Sequence, residues 1–115
     1  MCIRDRHIIT SLGEATTTVL WEAMANGVPT LSLDHCGMSG VICEKCGIKI
    51  PIHTYEQVTT DIAAEIESCI MNPERIAILS EGVLKCSEKF MWSNRIACFN
   101  HVYEQISQKA TAPAK

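Results

Sequence analysis

Residues 13–37 read GEATTTVLWEAMANGVPTLSLDHCG, and their order decides the fold. Two glutamates, Glu14 and Glu22, stand eight positions apart across a threonine run, ahead of a Gly-Val-Pro turn and a short apolar stretch. Thr16 or Thr17 can cap a helix in which Val19, Leu20, Ala23, Met24 and Gly27 recur at helical spacing. The run NGVP (26–29) ends that helix, and TLSL (30–33) reads as a buried strand.

Working outward, HIITS (7–11) is short and β-branched, which favours a buried strand running into a loop at Leu12-Gly13. Downstream, the glycine-punctuated segment 34–47 is a connection with one short helical turn around Ser39 to Glu44. IKIPI (48–52) reads as a third strand. Val58, Ile62, Ile66 and Ile70 then step by four and predict a helix from Tyr55 to Met71. Asn72-Pro73-Glu74 restarts the chain with a cap, a first-turn proline and an acid at the positive end of the dipole. The next helix is expected to bury Ile76, Leu79, Val83 and Phe90. A last helix is expected to pack through Trp92, Ile96, Phe99, Tyr103 and Ile106. The segment from Ser107 to Lys115 is a polar, frayed tail. Strand, helix, strand, connection, strand, helix is the order of a parallel sheet with crossover helices, so the fold class is α/β, a partial Rossmann-like parallel sheet followed by C-terminal helices.

Composition bounds the function. A chain of 115 residues with a hydrophobic share of 47% has room for one core. Ten Lys and Arg against thirteen Asp and Glu leave a formal charge of −3, which offers no footprint for nucleic acid. No apolar run approaches the length of a membrane span, and a soluble, cytoplasmic protein is expected. Seven scattered cysteines fit reduced thiols better than a disulfide scaffold. Cys43 and Cys46, in CEKC, have ligand spacing, and His35 and Cys36 lie upstream, so a zinc knuckle can be drawn; without a second CxxC or HxxxH, small thiols packing a turn is the preferred reading. His7, His35, His53 and His101 are isolated and read as structural or surface groups. Trp92 reads as helix packing rather than a stacking platform. The opening MCIRDR resembles read-through of a sequencing adapter, which would start the native sequence near His7 and leave the chain as part of a longer protein.

In open parallel sheets ligands bind at the carboxyl ends of the strands, where Gly13, Glu14 and the threonines fall. A helix starting there presents unpaired amides and a positive dipole end, which suits a phosphate. Were the chain helical from Glu14 to Glu22, the two carboxylates would stand about 12 Å apart, close to the span of a nucleotide sugar from ribose to hexose.

These residues carry a resemblance. SLGEATTTVLWEAMANGVPTLSLDHCG, with GIKIPI and FMWSNRIACFNHVYEQI, resembles the C-terminal half of a glycosyltransferase family 4 (group 1) enzyme of the GT-B fold, from His7 to about Ile106. The E-x7-E spacing followed by AMANGVP is its specific part. Ala15 departs from the glycine usual after the first glutamate. The resemblance implies retaining transfer of a sugar from a nucleotide-sugar donor to an acceptor hydroxyl. It implies that Glu14 contacts the donor sugar at the catalytic centre and that Glu22 binds the ribose hydroxyls. Ala15, Thr16, Thr17 and Thr18 would lie by the diphosphate. No metal or other cofactor is expected. The acceptor, a glycan, lipid or small molecule, would be held by an N-terminal domain outside this chain, and the full-length enzyme could associate peripherally with a membrane. Basic residues that commonly hold the diphosphate are missing upstream, where only His7 remains, and Lys45 and Lys49 are candidates downstream. A non-catalytic nucleotide-sugar-binding module, a sugar-nucleotide epimerase-like domain and a zinc-binding interaction module are the alternatives.

Overall fold

The computed structural model describes residues 5–13 and 15–110; Glu14, the first four residues of the adapter-like opening and the last five of the tail lie outside the described residues. The elements are β1 (His7–Ile9), α1 (Thr18–Ala25), β2 (Thr30–Leu33), α2 (Cys36–Val41), β3 (Gly47–Ile50), α3 (Tyr55–Met71), α4 (Pro73–Ser87), a single 3-10 turn (Glu88–Phe90) and α5 (Trp92–Ala110). The strands form a parallel sheet in the order β1-β2-β3, as the α/β reading expects.

All four residues of β2 are buried, because helices cover both faces of the central strand. Leu31 lies beside Ile48 and Leu33 beside Ile50. This row meets Val58, Ile62 and Ile66 of α3. On the other face Ile9 joins Leu20 and Met24 of α1, Met38 of α2, Ile42, Cys46 and Val83 of α4. The period of two in the strands thus sorts the apolar residues between two cores.

Thr17 caps α1, its hydroxyl accepting from the Leu20 amide at 3.3 Å. The helix ends in a Schellman arrangement: the Gly27 amide donates to Met24 O at 3.1 Å and the Val28 amide to Ala23 O at 2.9 Å. Gly27 takes a left-handed φ of 68°, which sends Pro29 straight into β2. Ser80 of α4 donates to the Gly27 carbonyl at 2.6 Å, locking this corner. Asn72 separates α3 from α4, with Pro73 in the first turn of α4, and the Arg75–Glu65 ion pair at 2.8 Å joins the two helices. Trp21 and Phe90 pack with their rings tilted at 56° and their centres 5.0 Å apart, and the Arg95 guanidinium lies 5.7 Å and 5.5 Å from them, tying the start of α5 to α1.

Several expectations need correction. Ile70 and Val19 are exposed, so each stripe loses one member. Leu79 and Val83 are buried, while Ile76 and Phe90 are only half-buried. The connecting helix lies at Cys36–Val41, upstream of the expected Ser39 to Glu44, because His35 rather than a later residue starts it. Trp92, Ile96, Phe99, Tyr103 and Ile106 are all exposed; α5 projects past the sheet, and its apolar stripe has no covering element among the described residues. Helix α5 runs on to Ala110, so the expected frayed tail is helical over its first residues.

Gly27→Ala should destabilise the protein by about 1–2 kcal/mol, because the left-handed backbone penalises a Cβ that would also press on Leu84 at 3.2 Å. A thermal midpoint equal to that of the parent would contradict this account of the α1–β2 corner.

Candidate functional site

The carboxyl ends of the strands bring together three segments: the loop after β1, the first turn of α1, and the junction of β2 with α2. Gly37 makes their approach feasible. A Cβ at this position would overlap the Ala15 carbonyl oxygen and the Thr16 hydroxyl, so the 15–16 loop rests directly on the first turn of α2. The Thr16 hydroxyl donates back to Ala15 O at 2.7 Å. Ala15 and Thr18 are exposed, whereas Thr16 and Thr17 are half-buried. With the Leu20 amide satisfied by its cap, helix geometry leaves the Thr18 and Val19 amides without an intrahelical acceptor.

Helix α1 begins at Thr18, not near Glu14. The condition for a 12 Å separation of the two carboxylates is therefore not met, because three of the intervening residues precede the helix. Glu14 itself lies outside the described residues. Glu22 is exposed on α1, one turn after Thr18, so the two side chains share a face. Glu22 borders an open groove with Arg6, His7, Val19, Asn26 and Ala77.

The β2–α2 junction carries two unusual features. Among the described residues Cys36 is the non-glycine residue with a left-handed φ, 48°, a conformation that costs free energy and recurs at functional turns. Beside it, both ring nitrogens of His35 are buried without a hydrogen-bond partner, an arrangement proteins usually avoid. The sequence singles out both residues only as possible partners of Cys43 and Cys46 in a zinc knuckle, because neither backbone φ nor burial can be read from a lone histidine and its neighbouring cysteine.

Lys49 and Lys45 part company. The Lys49 ammonium lies 3.4 Å from Asp34 and donates to Ser39 O at 3.2 Å, which puts it at this end of the sheet but engaged. Lys45 lies in the turn preceding β3, at the amino ends of the strands. His7 also sits at an amino end, where its Nδ1 is 3.2 Å from Thr30 Oγ1 and burial lowers its pKa. It is therefore not a cation for a diphosphate at the carboxyl ends.

His35 and Cys36 likewise stand at the opposite end of the sheet from Cys43 and Cys46, so the four do not form a zinc knuckle. Among the described residues no helix is long and apolar enough to cross a membrane.

The Asp34 carboxyl is held below its ordinary value of 3.8, first by hydrogen bonding from the Ser39 hydroxyl and then by the Lys49 charge. A pKa lowered by folding contributes stability that is complete above the unfolded value and is lost as pH falls through the folded one. Ser39→Ala should raise the Asp34 midpoint toward 3.8, and Lys49→Met should raise it by a smaller step. Carboxyl-carbon NMR titration measures both; two unchanged midpoints would remove the proposed network.

No family model matches the sequence, and no curated protein matches it.

Proposed function

We propose that this chain is the nucleotide-sugar-binding part of a retaining glycosyltransferase similar to family 4, acting with a separate acceptor domain. The observation that carries this is the placement of Thr18 and Glu22 along one exposed face of α1, whose N-terminus opens at the carboxyl end of β1. Four residues of helix rise about 6 Å, comparable to the reach from a diphosphate to the far hydroxyls of its ribose. The Thr18 and Val19 amides suit the diphosphate, and the Glu22 carboxylate suits the ribose hydroxyls. Glu14 is assigned to the donor sugar on the resemblance alone.

In the transfer, the bond from the anomeric carbon to the diphosphate oxygen breaks as the bond to the acceptor oxygen forms on the same face, and the acceptor's hydroxyl proton passes to the departing diphosphate oxygen. Preorganised amides at the helix terminus would stabilise charge building on the leaving diphosphate. Lys49 contributes little while Asp34 and the Ser39 carbonyl hold it, and the acceptor domain would exclude water. The chain by itself is therefore expected to bind donor weakly and to transfer nothing.

UDP-glucose and GDP-mannose, titrated into the labelled chain, should shift the Thr18 and Val19 amide resonances with at least one of the two. Glu22→Ala should weaken that binding by about ten-fold or more, the loss expected for hydrogen bonds to a charged group. Resonances unmoved by either nucleotide sugar would overturn the binding site. Sugar transfer by the chain alone, above a Glu14→Ala control, would overturn the need for a separate domain.

A further inference from the structure

The amino end of β3 holds a cluster that the donor site does not use. The Sγ atoms of Cys43, Cys46 and Cys86 all lie within 4.8 Å of one another. Cys43 is 3.3 Å from Cys46 and 3.5 Å from Cys86. The three residues are free thiols, and these separations are far longer than a disulfide bond of about 2.05 Å.

The arrangement is built into the fold. The Cys46 and Gly47 amides donate to Cys43 O at 2.9 and 3.1 Å, closing the CEKC turn. The Cys43 amide points inward to Cys46 Sγ at 3.1 Å, a donor that favours negative charge on sulfur. Helix α4 meets this turn backbone to backbone: a Cβ at Gly82 would overlap the Lys45 carbonyl. Cys86 lies four residues beyond Gly82, on the same face of α4, and so falls beneath the turn. Cys46 and Val83 anchor the two elements in one core.

We propose that Cys43, Cys46 and Cys86 form a three-thiolate site for a single zinc ion that clamps the α2–β3 connection to α4. Tetrahedral zinc with bonds of about 2.3 Å sets its sulfur ligands about 3.8 Å apart, close to the spacing already present. Cys43 is exposed and leaves the fourth position open to water or a small ligand. The negative C-terminal end of α4 opposes a bare thiolate at Cys86, and a dication reverses that penalty. Lys89, whose charge acts on Cys86, offsets the net negative charge of three thiolates around the ion. The cluster lies at the end of the sheet away from the α1 N-terminus, so the zinc is structural and independent of the donor-binding proposal.

The reduced chain, titrated with cobalt(II) as a spectroscopic stand-in for zinc, should bind one equivalent with an intense thiolate-to-metal charge-transfer band. Cys86→Ser should weaken that affinity by about a hundred-fold, while Cys36→Ser and Cys98→Ser should leave it unchanged. The parent chain supplies a readout that needs no variant. One equivalent of zinc should slow alkylation of Cys43 and Cys86 by about ten-fold or more, leaving Cys36 and Cys98 as reactive as before, with each site located by mass spectrometry. No charge-transfer band in the reduced chain, or equal protection of Cys36 and Cys98, would overturn the assignment.

Discussion

Burial of Thr30–Leu33 on both faces is the constraint on which the rest depends. A strand of four residues has only two side chains for each face, so neither face alone gives a sizeable core. Leu31 and Leu33 commit one face to α3. The opposite face, where Thr30 and Ser32 are small, leaves room for α1, α2 and α4 to meet over Ile9. Apolar burial stabilises by roughly 25 cal/mol per Å², and only a sheet covered on both sides collects enough of it from strands this short.

Close backbone approach then sets where the helices lie. At the carboxyl ends, Gly37 lets the 15–16 loop touch α2; at the amino ends, Gly82 lets α4 touch the CEKC turn. A methyl group at either would separate segments whose side chains now converge: Ala15, Thr16 and the α2 turn in one case, three cysteines in the other. Two glycines far apart in the chain thus create two local environments, one beside an exposed helix N-terminus and one partly enclosed and rich in sulfur.

The residues explain which parts of this were legible in the sequence. The bounds of α3 could be read because Val58, Ile62 and Ile66 all meet one core, so period and burial agree. The stripe of α5 has the same kind of period, yet its members are exposed, since periodicity gives a face and not its partner. The start of α1 is legible in the threonine run, because the hydroxyl of Thr17, one of the two candidate caps, accepts from the Leu20 amide; an acid such as Glu14 favours a helix N-terminus without fixing its first residue. Lys45 and Lys49 are four residues apart and could not be told apart by composition, whereas the turn into β3 sends them to opposite ends of the sheet. Cys86 follows Cys46 by forty positions, and no local motif spans that gap.

The same topology that leaves the sulfur cluster at the far end of the sheet from the α1 N-terminus also links the two mechanically. Helix α4 carries both Cys86 and Ser80, and Ser80 bonds the Gly27 carbonyl at the end of α1. Leu84 of α4 packs against Gly27 itself. The position of α1, and with it the direction in which Thr18 and Glu22 face, therefore depends on where α4 sits against the sheet. A metal clamp between the CEKC turn and α4 would hold that helix against the turn, and through packing would steady the face of α1 that carries Thr18 and Glu22.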